Sequence, residues 1–299
     1  MNLLITGAWK PEEETISQIR ALGHEVYFMP QEAGILPCDP GLIHAVICNG
    51  LFLHYSLSLF SHLRFIQLTS AGYDRVPLDE VRERGIQIFN ARGIYDIPMA
   101  EFALTGVLEL YKQSRFFIKN QSQQQWIKHR GLLELEGKTV CVIGCGSVGS
   151  KCAIKFSAMD CRVIGVDAYP IENPVFEKIY SLDLMNDALG ISDIVVLCVP
   201  LLPETRNLID ATAFESMKQG TVLVNISRGA VVDSSALISA LESKLFGAVL
   251  DVFDKEPLGE DSPLWDLENV ILTPHNSFVG ENNGKRLERL ILSNLENQV

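Results

Sequence analysis

Three glycines, Gly144, Gly146 and Gly149, follow the apolar run Val140 to Ile143 in the pattern Gly-x-Gly-x-x-Gly. The run has the length and β-branched content of a strand, and Val148 to about Met159 carries apolar residues at helical spacing. In that setting each glycine has a purpose: a tight turn, bare backbone against a pyrophosphate, and close helix–strand packing. Amides at the helix N-terminus then face the anion. The next strand, beginning at Arg162, ends in Asp167, at about the 20-residue spacing where an acid accepts from ribose hydroxyls. Strand, glycine turn, helix and terminal acid together predict a dinucleotide-binding βαβ unit. An acid there, with no arginine in Ala168-Tyr169-Pro170, favours NAD over NADP.

The elements around this unit must present the remaining chemistry. Asp193 to Val199, Thr221 to Ile226, Gly247 to Val252 and Val270 to Thr273 read as further buried strands, and Ser234 to Phe246 as a helix opened by serine caps. The last three strands deliver Arg228, Asp251 and His275 to one sheet edge. Before the dinucleotide unit, Asn2 to Ile5, Glu25 to Met29, Ala45 to Cys48, Arg64 to Leu68 and Ile86 to Phe89 read as strands. Pro11 to Leu22 has a proline start, an acidic first turn and a Gly23 stop, a complete helix signature. Such alternation predicts parallel strands with crossover helices, so this segment is an α/β domain too.

Two of its loops, Asn49-Gly50 and Ser70-Ala-Gly72-Tyr-Asp74, follow apolar runs and so lie at the carboxyl ends of strands, where α/β sheets place ligands. Their small residues expose amides that can hold a carboxylate; they equally suit plain tight turns. Asn90 to Pro98 reads as a linker. Pro98 is expected to start a helix through Tyr111 that is apolar enough to pack between domains or subunits. Gln121 to Arg130 is polar and irregular, with Trp126 as a lone aromatic anchor.

Composition narrows the class. The 299 residues allow two domains, and 47% hydrophobic with 21% charged residues is ordinary for a globular protein. A net charge of −12 repels phosphate backbones, which argues against nucleic acid as a partner. No apolar stretch approaches a membrane span, and the N-terminus reads as a strand rather than a signal peptide. Seven cysteines without a Cys-x-x-Cys pair point to neither a disulfide framework nor a metal site, and fit the cytoplasm.

Several blocks resemble one family. Asn225-Ile-Ser-Arg-Gly-Ala-Val-Val-Asp233, Gly247-Ala-Val-Leu-Asp-Val-Phe-Asp-Lys-Glu-Pro257 and Leu272-Thr-Pro-His275 are similar to the signature blocks of the D-isomer-specific 2-hydroxyacid dehydrogenases. Val199 to Ile209 and Ser70 to Asp74 match as well, in family order. The resemblance implies hydride exchange between NAD and a small 2-hydroxy or 2-oxo acid, with Arg228, Glu256 and His275 as the catalytic trio. Those residue types suit the reaction. Arginine's rigid fork can hold a carboxylate and keto oxygen, histidine can donate a proton near neutrality, and a carboxylate behind the ring fixes its tautomer and favours the imidazolium. The hydride itself is the cofactor's. The match further implies Ser147 and Val148 on the pyrophosphate and Asp167 on ribose. It places Val199, Pro200 and Thr205 around the adenosine end, and Ile226 and Asp251 near the nicotinamide. Substrate contacts fall on Asn49, Gly50, Ala71, Gly72 and Arg228.

The expected fold is two doubly wound parallel-sheet α/β domains with a cleft between them. Residues 1–97 plus 279–299 would form a flavodoxin-like substrate-binding domain, and 98–278 the Rossmann domain. A homodimer is expected, because the resemblance places the helix after Pro98 in a subunit interface. The chain departs from the family in reading His275-Asn-Ser-Phe-Val-Gly280, without an early glycine, in carrying Pro98 where a small hydroxyl residue is common, and in leaving only Glu281 to Val299 to return to the first domain. Cys145 in the glycine loop should point away from the phosphates. The nearest rival within the family is D-3-phosphoglycerate dehydrogenase, with Arg75 and Arg92 near the substrate loops; formate dehydrogenase relatives carry glutamine where this chain has Glu256. A rival of another class is a non-catalytic NAD-sensing corepressor, which would carry extra tails for partners; the enzyme reading leads.

Overall fold

The computed structural model describes residues 1–297. Its helices, in chain order, are α1 (Glu13–Ala21), α2 (Leu78–Glu83), α3 (Asp96–Tyr111), α4 (Ser114–Ser122), α5 (Ser147–Ser157), α6 (Met185–Gly190), α7 (Ala211–Ser216), α8 (Ser234–Ser243) and α9 (Asn283–Glu296). The chain divides into two compact units, Met1–Tyr95 with the segment from Gly280 onward, and Asp96–Val279.

The first unit is a five-stranded parallel sheet of β1 (Asn2–Thr6), β2 (Glu25–Met29), β3 (Ala45–Cys48), β4 (Phe65–Leu68) and β5 (Gln87–Phe89), in the order β2-β1-β3-β4-β5. This is the flavodoxin-like doubly wound order. Period-two alternation sends Leu3 and Ile5 into a core with Ile19 of α1, while Leu4 packs with Val46, Ile66 and Phe60 on the other face. Helix α9 belongs here because Leu287, Ile291 and Leu295, spaced by four, are buried in the first of these cores. Each such side chain stabilises the unit by roughly 1.5–3 kcal/mol. Arg286 Nε also donates to Ile94 O at 2.8 Å, and Asn294 Nδ2 to the buried Gln67 at 2.7 Å.

The second unit is a seven-stranded parallel sheet: β6 (Thr139–Ile143), β7 (Arg162–Val166), β8 (Lys178–Tyr180), β9 (Ile194–Leu197), β10 (Val222–Asn225), β11 (Gly247–Leu250) and β12 (Val270–Leu272). The order β12-β11-β10-β9-β6-β7-β8 is Rossmann-like, with its switch between β6 and β9. Val140 and Val142 face α3 and α5, whereas Cys141 and Ile143 face the core of α6, α7 and α8.

The structure corrects three local expectations. Helix α3 starts at Asp96 rather than Pro98. Proline is tolerated in that first turn because its missing N–H would have had no helical partner. Within this unit Ala100, Ala103 and Val107 of α3 are fully buried and Gly106 lies so close to Val249 that a Cβ would come within 2.6 Å, while Met99, Phe102, Leu104 and Leu108 are partly buried and Ile97 is exposed. The cap of α8 is Asp233, one residue earlier than the serines; its Oδ1 accepts from Ala236 N–H at 2.9 Å and from Ser235 Oγ at 2.6 Å. Trp126 anchors nothing in the described chain, being 96% exposed just beyond α4. The sequence pattern marks neither the short helices α2, α6 and α7, nor α4, nor the short edge strand β8, whose alternation is cut to three residues.

Candidate active site

Because β10, β11 and β12 are parallel neighbours, the loops that follow them emerge at one edge, about 4.8 Å apart strand to strand. The first carries Arg228. Asn225, fully buried, shapes this turn: its Oδ1 accepts from Ser227 N–H and Ser227 Oγ at 3.1 and 2.9 Å, and its Nδ2 donates to Arg228 O at 3.1 Å. One guanidinium nitrogen, Nη1, donates to Ser227 O at 2.8 Å. Gly229 then runs against the loop after β11, where a Cβ would lie 1.8 Å from Phe253 C. No other residue fits, so Gly229 fixes the spacing between the Arg228 turn and the loop carrying Glu256. The sequence reading did not single it out.

His275 and Glu256 are in contact. The ring's Nδ1 lies 2.9 Å from Glu256 Oε2, and Glu256 Oε1 accepts from Phe253 N–H at 3.1 Å. An ionised carboxylate only accepts, so Nδ1 carries the proton in this pair and Nε2 is the nitrogen that can present one to a substrate. Both side chains are about a third exposed (37% each), which leaves them open to solvent-borne ligands. His275 sits at φ 52°, an uncommon conformation for a residue with a Cβ.

Asp251 holds that conformation. It is fully buried, and its Oδ1 accepts from Thr273 Oγ1 and Asn276 N–H, both at 2.7 Å, while Oδ2 accepts from Ser277 N–H at 2.9 Å. Its carbonyl takes His275 N–H at 2.8 Å. The side chain that the family likeness placed near the nicotinamide is thus bound up in the turn that carries the histidine. The non-glycine residues after His275 are part of that turn: Asn276 and Ser277 supply two of the three donors.

At the switch point the residues fit a dinucleotide. Gly144 has φ 95°, and a Cβ there would come within 2.8 Å of the Cys198 backbone. At Gly149 a Cβ would meet Gly144 O at 2.0 Å, so α5 can approach the strand only with glycine here. Gly146 faces open space, with nothing within 4 Å of its Cβ position, and it precedes α5 with no side-chain cap. The amides of Ser147, Val148 and Gly149 at the start of that 11-residue helix therefore remain for an anion. Asp167 stands beside this loop, its Oδ2 accepting from Cys145 N–H at 2.8 Å and Oδ1 from Tyr169 N–H at 3.0 Å. The Cys145 thiol turns inward against Gly165, and burial, with Asp167 alongside, pushes its pKa up to about 12.

Other expected cofactor residues take mixed positions. Val199 N lies 2.9 Å from the Gly144 Cβ position, Pro200 after it is exposed, and Ile226 is buried. The Thr205 hydroxyl is engaged within its own loop, donating to Pro200 O at 2.6 Å and accepting from Leu202 N–H at 2.8 Å. Ser147 Oγ donates to Asp96, a buried carboxylate 3.2 Å away that no spacing in the sequence had marked.

In the first unit, the Ala71 and Gly72 carbonyls accept from Asn90 Nδ2 at 2.6 Å and Ser70 Oγ at 3.1 Å. The Asn49 and Gly50 amides already donate to a carboxylate, that of Glu32.

A sequence profile described as the NAD-binding domain of D-isomer specific 2-hydroxyacid dehydrogenases matches residues 104–277. The D-3-phosphoglycerate dehydrogenase of Archaeoglobus fulgidus is 33% identical over 216 residues, which cover 72% of this chain but only 41% of that protein's length. The (S)-sulfolactate dehydrogenase of Chromohalobacter salexigens is 31% identical over 243 residues, 80% of this chain and 78% of that one. A solved structure of a D-isomer specific 2-hydroxyacid dehydrogenase family protein from Aeromonas salmonicida superposes with a TM-score of 0.81 at 30% identity, covering 98% of this chain and 94% of that one. The chain therefore belongs to the D-isomer specific 2-hydroxyacid dehydrogenase family, a family of NAD-linked oxidoreductases, and carries its NAD-binding domain.

Proposed function

We propose that this protein interconverts a small 2-oxo acid and its D-2-hydroxy acid, using NAD as redox partner. The observation that carries this reading is the His275 Nδ1–Glu256 Oε2 contact of 2.9 Å, on the same sheet edge as Arg228 and the glycine turn. The amides around Ser147 and Val148, with Asp167 beside them, would hold NADH, which would supply the hydride in reduction. Arg228 draws the carboxylate and polarises the keto oxygen. Protonated His275 donates from Nε2 to the developing alkoxide, and Glu256 orients the ring and offsets its charge. In the oxidative direction the same ring takes the hydroxyl proton.

A homodimer is part of this reading. Its support is the exposed apolar surface at Ile97 of α3 and, further along the chain, at Ile118, Trp126 and Ile127, of the kind that marks association sites. The cytoplasm is assigned on the seven free thiols. No helix among the described residues is long and apolar enough to cross a membrane.

The test is an NADH-oxidation screen over glyoxylate, hydroxypyruvate, pyruvate, longer 2-oxo acids and 3-phosphohydroxypyruvate. Turnover on at least one is expected, with NADH favoured over NADPH by about tenfold or more, because a 2′-phosphate would meet the Asp167 carboxylate and one such contact is worth at least ~1.4 kcal/mol. Tight NADH binding with no turnover on any acid would support the sensor reading instead.

A further inference from the structure

Glu32 lies just beyond β2, yet its carboxylate reaches across the carboxyl ends of β1 and β3. Oε1 accepts from Asn49 N–H at 2.6 Å and from Thr6 Oγ1 at 2.8 Å, and Oε2 accepts from Gly50 N–H at 2.6 Å. The parallel order β2-β1-β3 brings these three strand ends together, and a Cβ at Gly50 would already press to 3.2 Å from Oε2. Two adjacent amides and a hydroxyl, all aimed at one carboxylate, make a cradle of the kind anions occupy. Here the chain fills it with its own acid. A further acceptor, Asn49 Oδ1, is buried at the same place and makes no hydrogen bond among the described residues.

We propose that Glu32 is a specificity-determining residue that restricts this protein to 2-oxo acids whose only anionic group is the carboxylate. The inference rests on the 2-oxo acid reading above and narrows its substrate class. An acid bearing a second anion, such as a phosphate, needs somewhere to put it. The amides of Asn49 and Gly50, after β3 and next to the Ala71-Gly72 loop after β4, are donors such a group could use, and both already serve Glu32. A phosphate brought there would meet a carboxylate and a bare carbonyl oxygen instead of N–H groups, and like charges placed together are rejected. The aliphatic stem of Arg75 also approaches, with Cδ 3.9 Å from the Gly50 Cβ position.

The experiment compares kcat/KM for 3-phosphohydroxypyruvate and hydroxypyruvate, with NADH, in the parent protein and in Glu32→Gln. The parent should favour the unphosphorylated acid by about tenfold or more, and the variant should move the ratio toward the phosphorylated acid by about tenfold, as expected for removing one nearby like charge. Glu32→Ser, whose smaller side chain lets water into the cradle, should shift it the same way and serves if the glutamine variant fails to fold. A parent that prefers the phosphorylated acid would overturn the proposal whatever the variants do, as would an unchanged ratio in a folded variant. Failure of the underlying reading looks different: no 2-oxo acid in the screen is reduced by any form of the protein.

Discussion

Replacing His275 with alanine should lower kcat on any accepted 2-oxo acid by about 10²-fold or more, the usual scale when a general acid is lost. The geometry gives the reason. Among the described residues, only this ring joins a carboxylate partner, 2.9 Å away at Nδ1, to a second nitrogen able to face a substrate from the edge where Arg228 emerges. NADH affinity, measured by fluorescence titration, should change little, because the glycine turn and Asp167 lie at other strands of the same sheet. Parental turnover in His275→Ala would remove the imidazole from the mechanism. Equal loss of binding and turnover would mean instead that the substitution had collapsed the site.

The second large effect is expected at Asp251. Its carboxylate collects two backbone N–H groups and one hydroxyl from Thr273 to Ser277, all within 2.9 Å; the carboxylate and Ser277 are buried, the bonds from Thr273 and Asn276 only in part. Asp251→Ala leaves those donors without partners; the buried Ser277 N–H costs about 1–3 kcal/mol and the two part-buried donors less. A total on the order of 3–5 kcal/mol is expected, which lowers Tm by roughly 10 °C for a unit of this size. The turn that holds His275 at φ 52° would relax, so kcat should fall even in protein that remains folded at the assay temperature. Thermal unfolding and steady-state kinetics on one preparation separate the two consequences. A variant as stable as the parent would show that the buried network contributes less than its geometry implies.

What the sequence made legible was local. Gly144, Gly146, Gly149 and Asp167 could be read because strand, turn, helix and acid follow one another within about 20 residues and each glycine has a steric reason. Arg228 and His275 could be placed on one edge because parallel strands must all end there. Glu256 was named only by likeness to a family; no periodicity placed it behind the ring, since that depends on how Phe253 turns back and on the glycine at 229. Glu32 was invisible for a similar reason. Its partners at Thr6, Asn49 and Gly50 come from three strands whose adjacency only the ladder order reveals. The cap of α8 was misread by one residue because Asp233, Ser234 and Ser235 are all good caps, and only the turn geometry chooses among them. Trp126 is an anchor by residue type alone, whereas at 96% exposure it has nothing among the described residues to pack on.

The claim at the centre of this account is that His275 and Glu256 act as one acid–base couple. It is tested most directly by paired pH–rate profiles of kcat/KM for 2-oxo acid reduction in the parent and in Glu256→Gln. Glutamine can still meet the ring but brings no charge to favour the imidazolium, and reduction requires the protonated ring. Activity in Glu256→Gln should therefore fall to half at a lower pH than in the parent as pH is raised. Coincident profiles on the alkaline side would contradict the assignment.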